Sequence, residues 1–424
     1  MRPSARLLHI AVLAGLALSG MPLCADSPEG TASEFVRLAY DGRFDALPKA
    51  ANAETEPFER SVGNVLRVRC VVVDGISIDD VAIDGDAARV QLQVALRKTE
   101  PQFPQSLSSE VLPLRLQLVH AGDRWLVSSV ALLDDELAQQ LLAADEEELA
   151  RLLRAHPERM TRGLMWAIHA RVLKIFNYST GTKEEISRNV LRGAAILREL
   201  GSLSGNREAE ALAIGVDSLD AWMQRGDMPG ALRLTQEALD VVSDGAEPDV
   251  LARLWYNRGR AIEMQEDDDY GHSQSAREEC YEHARAAAER AEDPYILNRV
   301  LIVLAGLANR RCDHLAARRY ADQAFAVARA NGDPGGEINA DSTLMTVYVE
   351  QGDEERARFH HMRALALAEK IHSRLYLPLL IRSTRFLVAD GRYDEARALL
   401  TKAMPRDERG NVTWNSVTAK SFVR

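Results

Sequence analysis

Along the chain the spacing of apolar positions changes twice, and each change marks a different kind of structure. Residues 31–49 place Phe35, Val36, Ala39, Tyr40, Phe44 and Leu47 three to four apart, which predicts one or two short amphipathic helices. The spacing then falls to two. Segments 65–73, 88–96, 112–119 and 124–132 are short, rich in Val and Leu and bounded by turn residues, so they read as strands. Val90, Leu92, Val94 and Leu96 alternate with Gln91, Gln93 and Ala95, and Leu114, Leu116 and Leu118 with Arg115 and Gln117. That alternation gives a mainly antiparallel sheet one buried and one wetted face. Asp84-Gly85-Asp86 and Ala121-Gly122-Asp123 supply tight turns between strands.

From Asp134 the helical period returns and persists. Leu137, Leu141, Leu142, Leu149, Leu152 and Leu153, with Asp145 capping Glu146-Glu147-Glu148, predict two short linker helices over 134–159, ended by His156-Pro157. Segments 162–178 and 183–203 form a first helix pair around Gly181. Thereafter two alanines seven apart recur in the second helix of each pair: Ala231 and Ala238, Ala317 and Ala324, Ala357 and Ala364, Ala396 and Ala403. The recurrence, at about 40 residues, marks a helical repeat array over 160–404. Residues at i and i+7 share one helix stripe, and a small side chain there lets paired helices approach closely. Gly226-Asp227, Gly352-Asp353 and Gly391-Arg392 end first helices, as a C-terminal glycine does.

The stretch Trp255-Tyr256-Asn257-Arg258-Gly259-Arg260-Ala261-Ile262 fits the first-helix pattern of tetratricopeptide repeats, with Arg258 and Ile262 in place of the usual Leu and Tyr. Trp222 and Tyr348 stand at the bulky position before the turn in other pairs. The array resembles the long-repeat variants of that family. The resemblance implies a superhelix whose inner face, lined by first helices, holds an extended peptide or protein segment. On this sequence that face comprises Asp220 and Met223, then Arg253, Tyr256 and Arg260, then Arg299, Asn309 and Arg310, continuing through Asn339, Ser342, Thr346 and Arg385. Arg can fork a carboxylate and Asn can pair with a peptide bond, so a backbone-reading or acidic contact is the hypothesis and a solvated charged surface the alternative.

Residues 30–133, a helical stretch followed by a curved antiparallel sheet closing on a Trp-Leu-Val-Ser strand, resemble the nuclear-transport-factor-2-like cone. That resemblance implies a ligand or reaction site inside the cone, often with an acid and a histidine facing inward; Asp74, Asp79, Asp80 and His120 are the residues on offer. His120 lies at a strand end beside a turn, where a histidine is commonly solvated, and no catalytic residue is assigned. The fold class is thus an α+β domain, short helices on a curved antiparallel sheet, followed by an all-α helical-hairpin solenoid.

Composition refines this picture at the ends. Arg2 and Arg6, an apolar run over 7–18, then Ser19 and Gly20 before Ala25, have the layout of a secretory signal peptide at 1–25. The expected location is therefore the periplasm or the cell exterior. Pro22 and Leu23 ahead of Cys24 argue against an outer-membrane lipoprotein. Loss of Arg2 and Arg6 takes the formal charge from −11 to −13, which disfavours nucleic acid as a partner. No transmembrane segment is expected in the mature chain. Cys70, Cys280 and Cys312 would remain; Cys280 and Cys312 fall in successive helix pairs and form a candidate disulfide, the alternative being two small buried residues.

No phosphate loop, His-Glu-x-x-His or Gly-x-Ser-x-Gly pattern occurs, so neither an enzyme nor a cofactor is implied. Glu266-Asp267-Asp268-Asp269 lacks the ligand spacing of a calcium loop, and His360-His361 are helix neighbours that cannot simply share a metal, so no metal site is assigned. The tail 405–424 carries no capping helix, which leaves the last repeat as a candidate surface for self-association. These features point to an exported scaffold binding a protein or extended peptide. Two alternatives stand beside it: a ligand-binding or catalytic cone with the repeats as assembly module, and a sensory input region lacking its output domain.

Overall fold

The computed structural model describes residues 27–55, 71–98, 110–155, 157–178, 182–242, 245–265, 272–371, 373 and 375–403. The segment 1–25 expected to be a signal peptide, Cys24, Cys70, the acidic run at 266–269 and the tail 405–424 lie outside the described residues. The chain divides into two compact units, one built on a sheet and the other on the helices from Ala138 onward.

In the first unit α1 (Pro28–Tyr40) begins where the Ser27 hydroxyl accepts from the Gly30 amide at 3.1 Å and Pro28 supplies a preset φ. Its stripe of Ala32, Phe35, Val36 and Ala39 is buried against a sheet of order β1-β5-β4-β3-β2. β3 (Ala87–Lys98) lies antiparallel to β2 (Val71–Asp84) and to β4 (Glu110–Ala121), and β4 antiparallel to β5 (Arg124–Leu132). The two alternating runs behave as their pattern predicts: Val90, Leu92, Val94, Leu114, Leu116 and Leu118 all enter the core.

Two elements differ from expectation. β1 (Lys49–Glu54) is a strand, paired parallel to β5, where the periodicity has no alternation to offer, because this polar edge strand buries almost nothing. β2 runs on to Asp84, past the expected strand end at residue 73, and register shifts between Val73 and Gly75 and between Ile78 and Asp80 mark its irregular stretches.

α2 (Leu133–Ala143) carries the chain from the first unit into the second, where α3 (Glu146–Ala155) precedes helical hairpins. Asp145 caps α3 by accepting from the Glu148 amide at 2.9 Å. The hairpins pair α4 (Arg162–Tyr178) with α5 (Lys183–Ser204), α6 (Arg207–Asp220) with α7 (Met228–Val241), and α8 (Pro248–Gln265) with α9 (His272–Ala291). Then come α10 (Pro294–Arg310) with α11 (His314–Ala330), α12 (Pro334–Glu350) with α13 (Glu354–Lys370), and α14 (Tyr376–Ala389) with α15 (Tyr393–Ala403). The paired alanines are buried as expected, from Ala231 and Ala238 through Ala357 and Ala364 to Ala396; the side chain of Ala403 lies outside the description. A Cβ on Gly259 would fall 2.9 Å from the buried ring of Tyr281, so in the α8–α9 hairpin the small residue sits on the first helix and the large one on the second.

Turn chemistry repeats with the helices. Gly226, Gly352 and Gly391 have φ of 71°, 73° and 74°, and Asp227 and Asp353 then cap the next helix. In the α10–α11 turn Cys312 takes the glycine's place at φ 59°, followed by the capping Asp313. Successive first helices α6, α8, α10 and α12 touch one another as well as their own partners. Among the described residues no pair of successive second helices packs comparably, which puts the first helices on the inner side of the array's curve.

A non-glycine residue in this left-handed conformation costs about 1 kcal/mol or more. Cys312→Gly therefore raises the urea-unfolding free energy by about 1 kcal/mol, whereas Cys312→Val lowers it by a similar amount.

Candidate functional site

The inner face is held by side chains that bridge hairpins. Arg162 at the start of α4 donates from Nε to Glu208 Oε2 of α6 at 3.1 Å and from Nη1 to Asp249 Oδ2 of α8 at 2.9 Å. One helical turn on, the Trp166 ring lies 5.6 Å from the Arg162 guanidinium and 5.8 Å from that of Arg253 on α8. Arg253 pairs with Asp293 at 3.7 Å and stands 5.7 Å from the Tyr295 ring, over which Arg299 stacks at 4.3 Å. Asp293 itself caps α10, accepting from the amides of Tyr295 and Ile296. Trp166, Arg253, Tyr295 and Arg299 thus alternate aromatic and cationic groups across three first helices, each contact worth about 0.5–2 kcal/mol depending on its burial. Tyr295 is 40% exposed.

This arrangement brings Arg253 and Arg299 of the expected face together on one ring. A second cluster joins Tyr256 and Arg260. Arg260 Nη1 donates to Glu263 Oε2 at 2.6 Å and its guanidinium lies 5.9 Å from Trp222. The Tyr281 hydroxyl donates to the same Glu263 oxygen at 3.3 Å, while its ring meets Tyr256 edge-on at 6.0 Å. Burial, reinforced by Glu263, pushes the Tyr281 hydroxyl well above the usual phenol range. The carboxylate slot of Arg260 is already filled from its own helix.

Asp220 departs from expectation. It is 0% exposed, accepts from Ser187 Oγ at 2.6 Å and Arg225 Nε at 2.9 Å, and closes α6 where the chain opens into a π turn over Ala221–Arg225. A carboxylate spent on internal partners offers no groove contact. Asn309 is likewise buried and bonded to His314 Nδ1 at 3.0 Å. Ser342 accepts from Arg382 Nη1 at 2.7 Å, and Thr346 donates back to the Ser342 carbonyl. Met223, Arg310, Asn339 and Arg385 are exposed.

Sequence reasoning passed over Arg162, Trp166 and Tyr295, which organise the face. The signal for Tyr295 was Asp293-Pro294 before it, a cap and N1 pair that fixes the ring at a helix entrance. It also missed the buried Asp341, which accepts from Arg363 Nε at 2.6 Å and contacts His360 Nδ1 at 2.9 Å. The neighbouring His361 turns instead to Ser383 Oγ at 2.7 Å, so the two histidines serve different hairpins. Among the described residues no cluster of three His, Cys, Asp or Glu side chains is placed to hold a metal, and no helix is long and apolar enough to cross a membrane.

The candidate disulfide is not formed. Cys280 is a free, buried thiol on α9 whose pKa burial pushes up, and Cys312 is free and exposed at its strained turn. The first unit shows no acid–histidine pair among the described residues either. Asp74, Asp79, Asp80 and His120 are all exposed: Asp79 accepts from Gln93, Asp80 lies 3.9 Å from Arg89, and His120 packs on Trp125 at 4.9 Å. The sheet's inner face is filled by Val, Leu and the α1 aromatics.

No family model and no curated protein matches the chain. Among solved structures, BtubC from P. vanneervenii aligns over 56% of this chain and 92% of its own, at 17% identity and a TM-score of 0.43. A Rap protein complexed with competence and sporulation factor aligns over 63% and 76%, at 14% identity and 0.41. The apo quorum sensor NprR from B. thuringiensis aligns over 68% and 79%, at 12% identity and 0.42. Likeness at this level assigns neither family nor function.

Burial, followed by the positive charge of Arg253, pushes His169 on α4 down to about 3; burial, followed by Arg382 and Arg358, pushes His361 down to about 4. Both are neutral in the folded chain near pH 7, while unfolded copies titrate at the ordinary histidine value of 6.5. Their contribution is complete above that value and is lost as pH falls towards 4, by up to about 1.4 kcal/mol per pH unit for each. Urea unfolding followed across that window shows a steep acid loss of stability in the wild-type chain and a shallower one in His169→Gln/His361→Gln.

Proposed function

We propose that the chain is a non-enzymatic interaction protein whose first-helix face takes an extended, carboxylate-bearing peptide or protein segment. The observation that carries this reading is Arg299. Its guanidinium carbon lies over the Tyr295 ring, 4.3 Å from the centroid, and the group has no carboxylate partner among the described residues. A guanidinium held over a ring by its charge still has N–H donors to offer a ligand, in the fork that matches a carboxylate. Arg385, two hairpins further along, is exposed and also without a partner among the described residues. Arg253 and Arg260, by contrast, are spent on Asp293 and Glu263 and serve to shape the face.

The finer parts of the proposal follow the sequence. Residues 30–133 are a cone-like domain of the nuclear-transport-factor-2 type, supported by β1 lying parallel to β5 at one edge of an otherwise antiparallel sheet. Residues 160–404 are long tetratricopeptide-like repeats, supported by the buried alanine pairs and the Gly259–Tyr281 approach. Export through 1–25 places the protein in the periplasm or outside the cell.

Selection of a random peptide library on the full chain enriches sequences with paired Asp or Glu. Arg299→Glu/Arg385→Glu weakens the selected peptides by about 100-fold, near tenfold for each charge-assisted contact, with unchanged helicity by circular dichroism. Enrichment of peptides without acidic residues, or undiminished capture by the double variant, would overturn the reading.

A further inference from the structure

We infer a second, separate ligand site in the cleft between α2, α4 and α5, with small polyanions as its ligand class: compact molecules carrying two or more negative charges on phosphate or carboxylate groups. The cleft has a volume of about 500 Å³, within the range of small-molecule sites. Each helix gives it one face at helical spacing: Gln139 and Leu142 from α2, Arg171, Lys174 and Ile175 from α4, and Arg192 from α5.

Charge is what sets this cleft apart. The protein has a formal net charge of −11, yet three of the residues lining this cleft are cations and none is an acid. Lys174 is exposed and has no ion-pair partner among the described residues. Arg192 is held by the chain itself: Nε donates to the Leu142 carbonyl at 3.0 Å and Nη2 donates to the Ala144 carbonyl, both at the C-terminal end of α2. Those bonds fix the guanidinium plane and leave Nη1 without a partner among the described residues. The close approach of α4 and α5 behind it, where a Cβ on Gly193 would overlap Val172, makes the wall rigid. A preoriented Arg, a free ammonium and a second guanidinium over an apolar floor of Leu142 and Ile175 suit a ligand with clustered negative charge on a small carbon frame. Arg192 and Lys174 together suit a ligand with two negative charges better than one with a single carboxylate.

Isothermal titration of the full chain with pyrophosphate and, separately, with citrate tests this, with ionic strength held constant by sodium chloride. The two arms distinguish phosphate from carboxylate as the preferred source of charge. The inference predicts saturable one-to-one binding of at least one of them. Lys174→Glu weakens it by at least tenfold, Lys174→Arg retains it, and Arg299→Glu/Arg385→Glu leaves it unchanged. Absence of saturable binding for both anions, or equal affinity in Lys174→Glu, would overturn it. So would loss of binding in the Arg299→Glu/Arg385→Glu chain, which would put the anion on the inner face instead. Because Lys174 is exposed and bonded to nothing among the described residues, its replacement leaves the fold intact.

Discussion

Everything on the inner face of this protein depends on how closely paired helices can approach. The second helices carry buried alanines facing the first, and in the α8–α9 hairpin the buried Tyr281 ring is accommodated by Gly259 on the facing helix. Close pairing within each hairpin brings successive first helices into contact with one another. Arg162 can then reach carboxylates on both α6 and α8, and Arg253 can reach an aromatic ring on α4 and another on α10. A larger residue at Ala231 or Ala324 would push the helices apart by a methylene or more, at about 1–3 kcal/mol in a well-packed site, and would separate groups whose contacts are a few ångströms long.

The charged residues of that face divide into two kinds once their partners are known. Asp220, Arg253 and Arg260 look from their positions like ligand contacts, but each is neutralised inside the array, by Arg225, Asp293 and Glu263. Leaving any of them unpaired and partly buried would cost more than the pair contributes. Arg299 and Arg385 are different, having no carboxylate partner among the described residues, and they are where an external carboxylate can add a favourable contact. The face is therefore a scaffold of internal ion pairs and cation–aromatic stacks carrying a few uncommitted cations.

The parts of the fold legible in the sequence were those written by periodicity. Alternation at Val90 to Leu96 and Leu114 to Leu118, the alanine pairs and the Gly-Asp turns all gave elements at their observed places. β1 was illegible because Lys49–Glu54 is a polar edge strand held by backbone hydrogen bonds, which leave no mark on side-chain pattern. The site was legible only as a face. The resemblance to tetratricopeptide repeats put Arg253, Tyr256, Arg260 and Arg299 on first helices, where the structure divides them between the Tyr295 ring and the Tyr281 cluster. Spacing does not show which neighbour answers a charge, since Asp293 meets Arg253 and Trp166 meets it from two hairpins away only through the curve of the array. Cys312 is the reverse case, a residue whose chemistry suggested a bond and whose location is instead a backbone position usually given to glycine.

The central claim is that uncommitted arginines on the first-helix face, rather than the acidic surface at large, receive the partner. Arginine-selective labelling of the full chain, read residue by residue by mass spectrometry with and without a bound acidic peptide, tests it most directly. The account predicts that Arg299 and Arg385 are labelled in the free chain and protected together in the complex, while exposed arginines on second helices such as Arg318 keep their reactivity. Equal labelling of Arg299 and Arg385 in both states, or protection confined to the second helices, would contradict it.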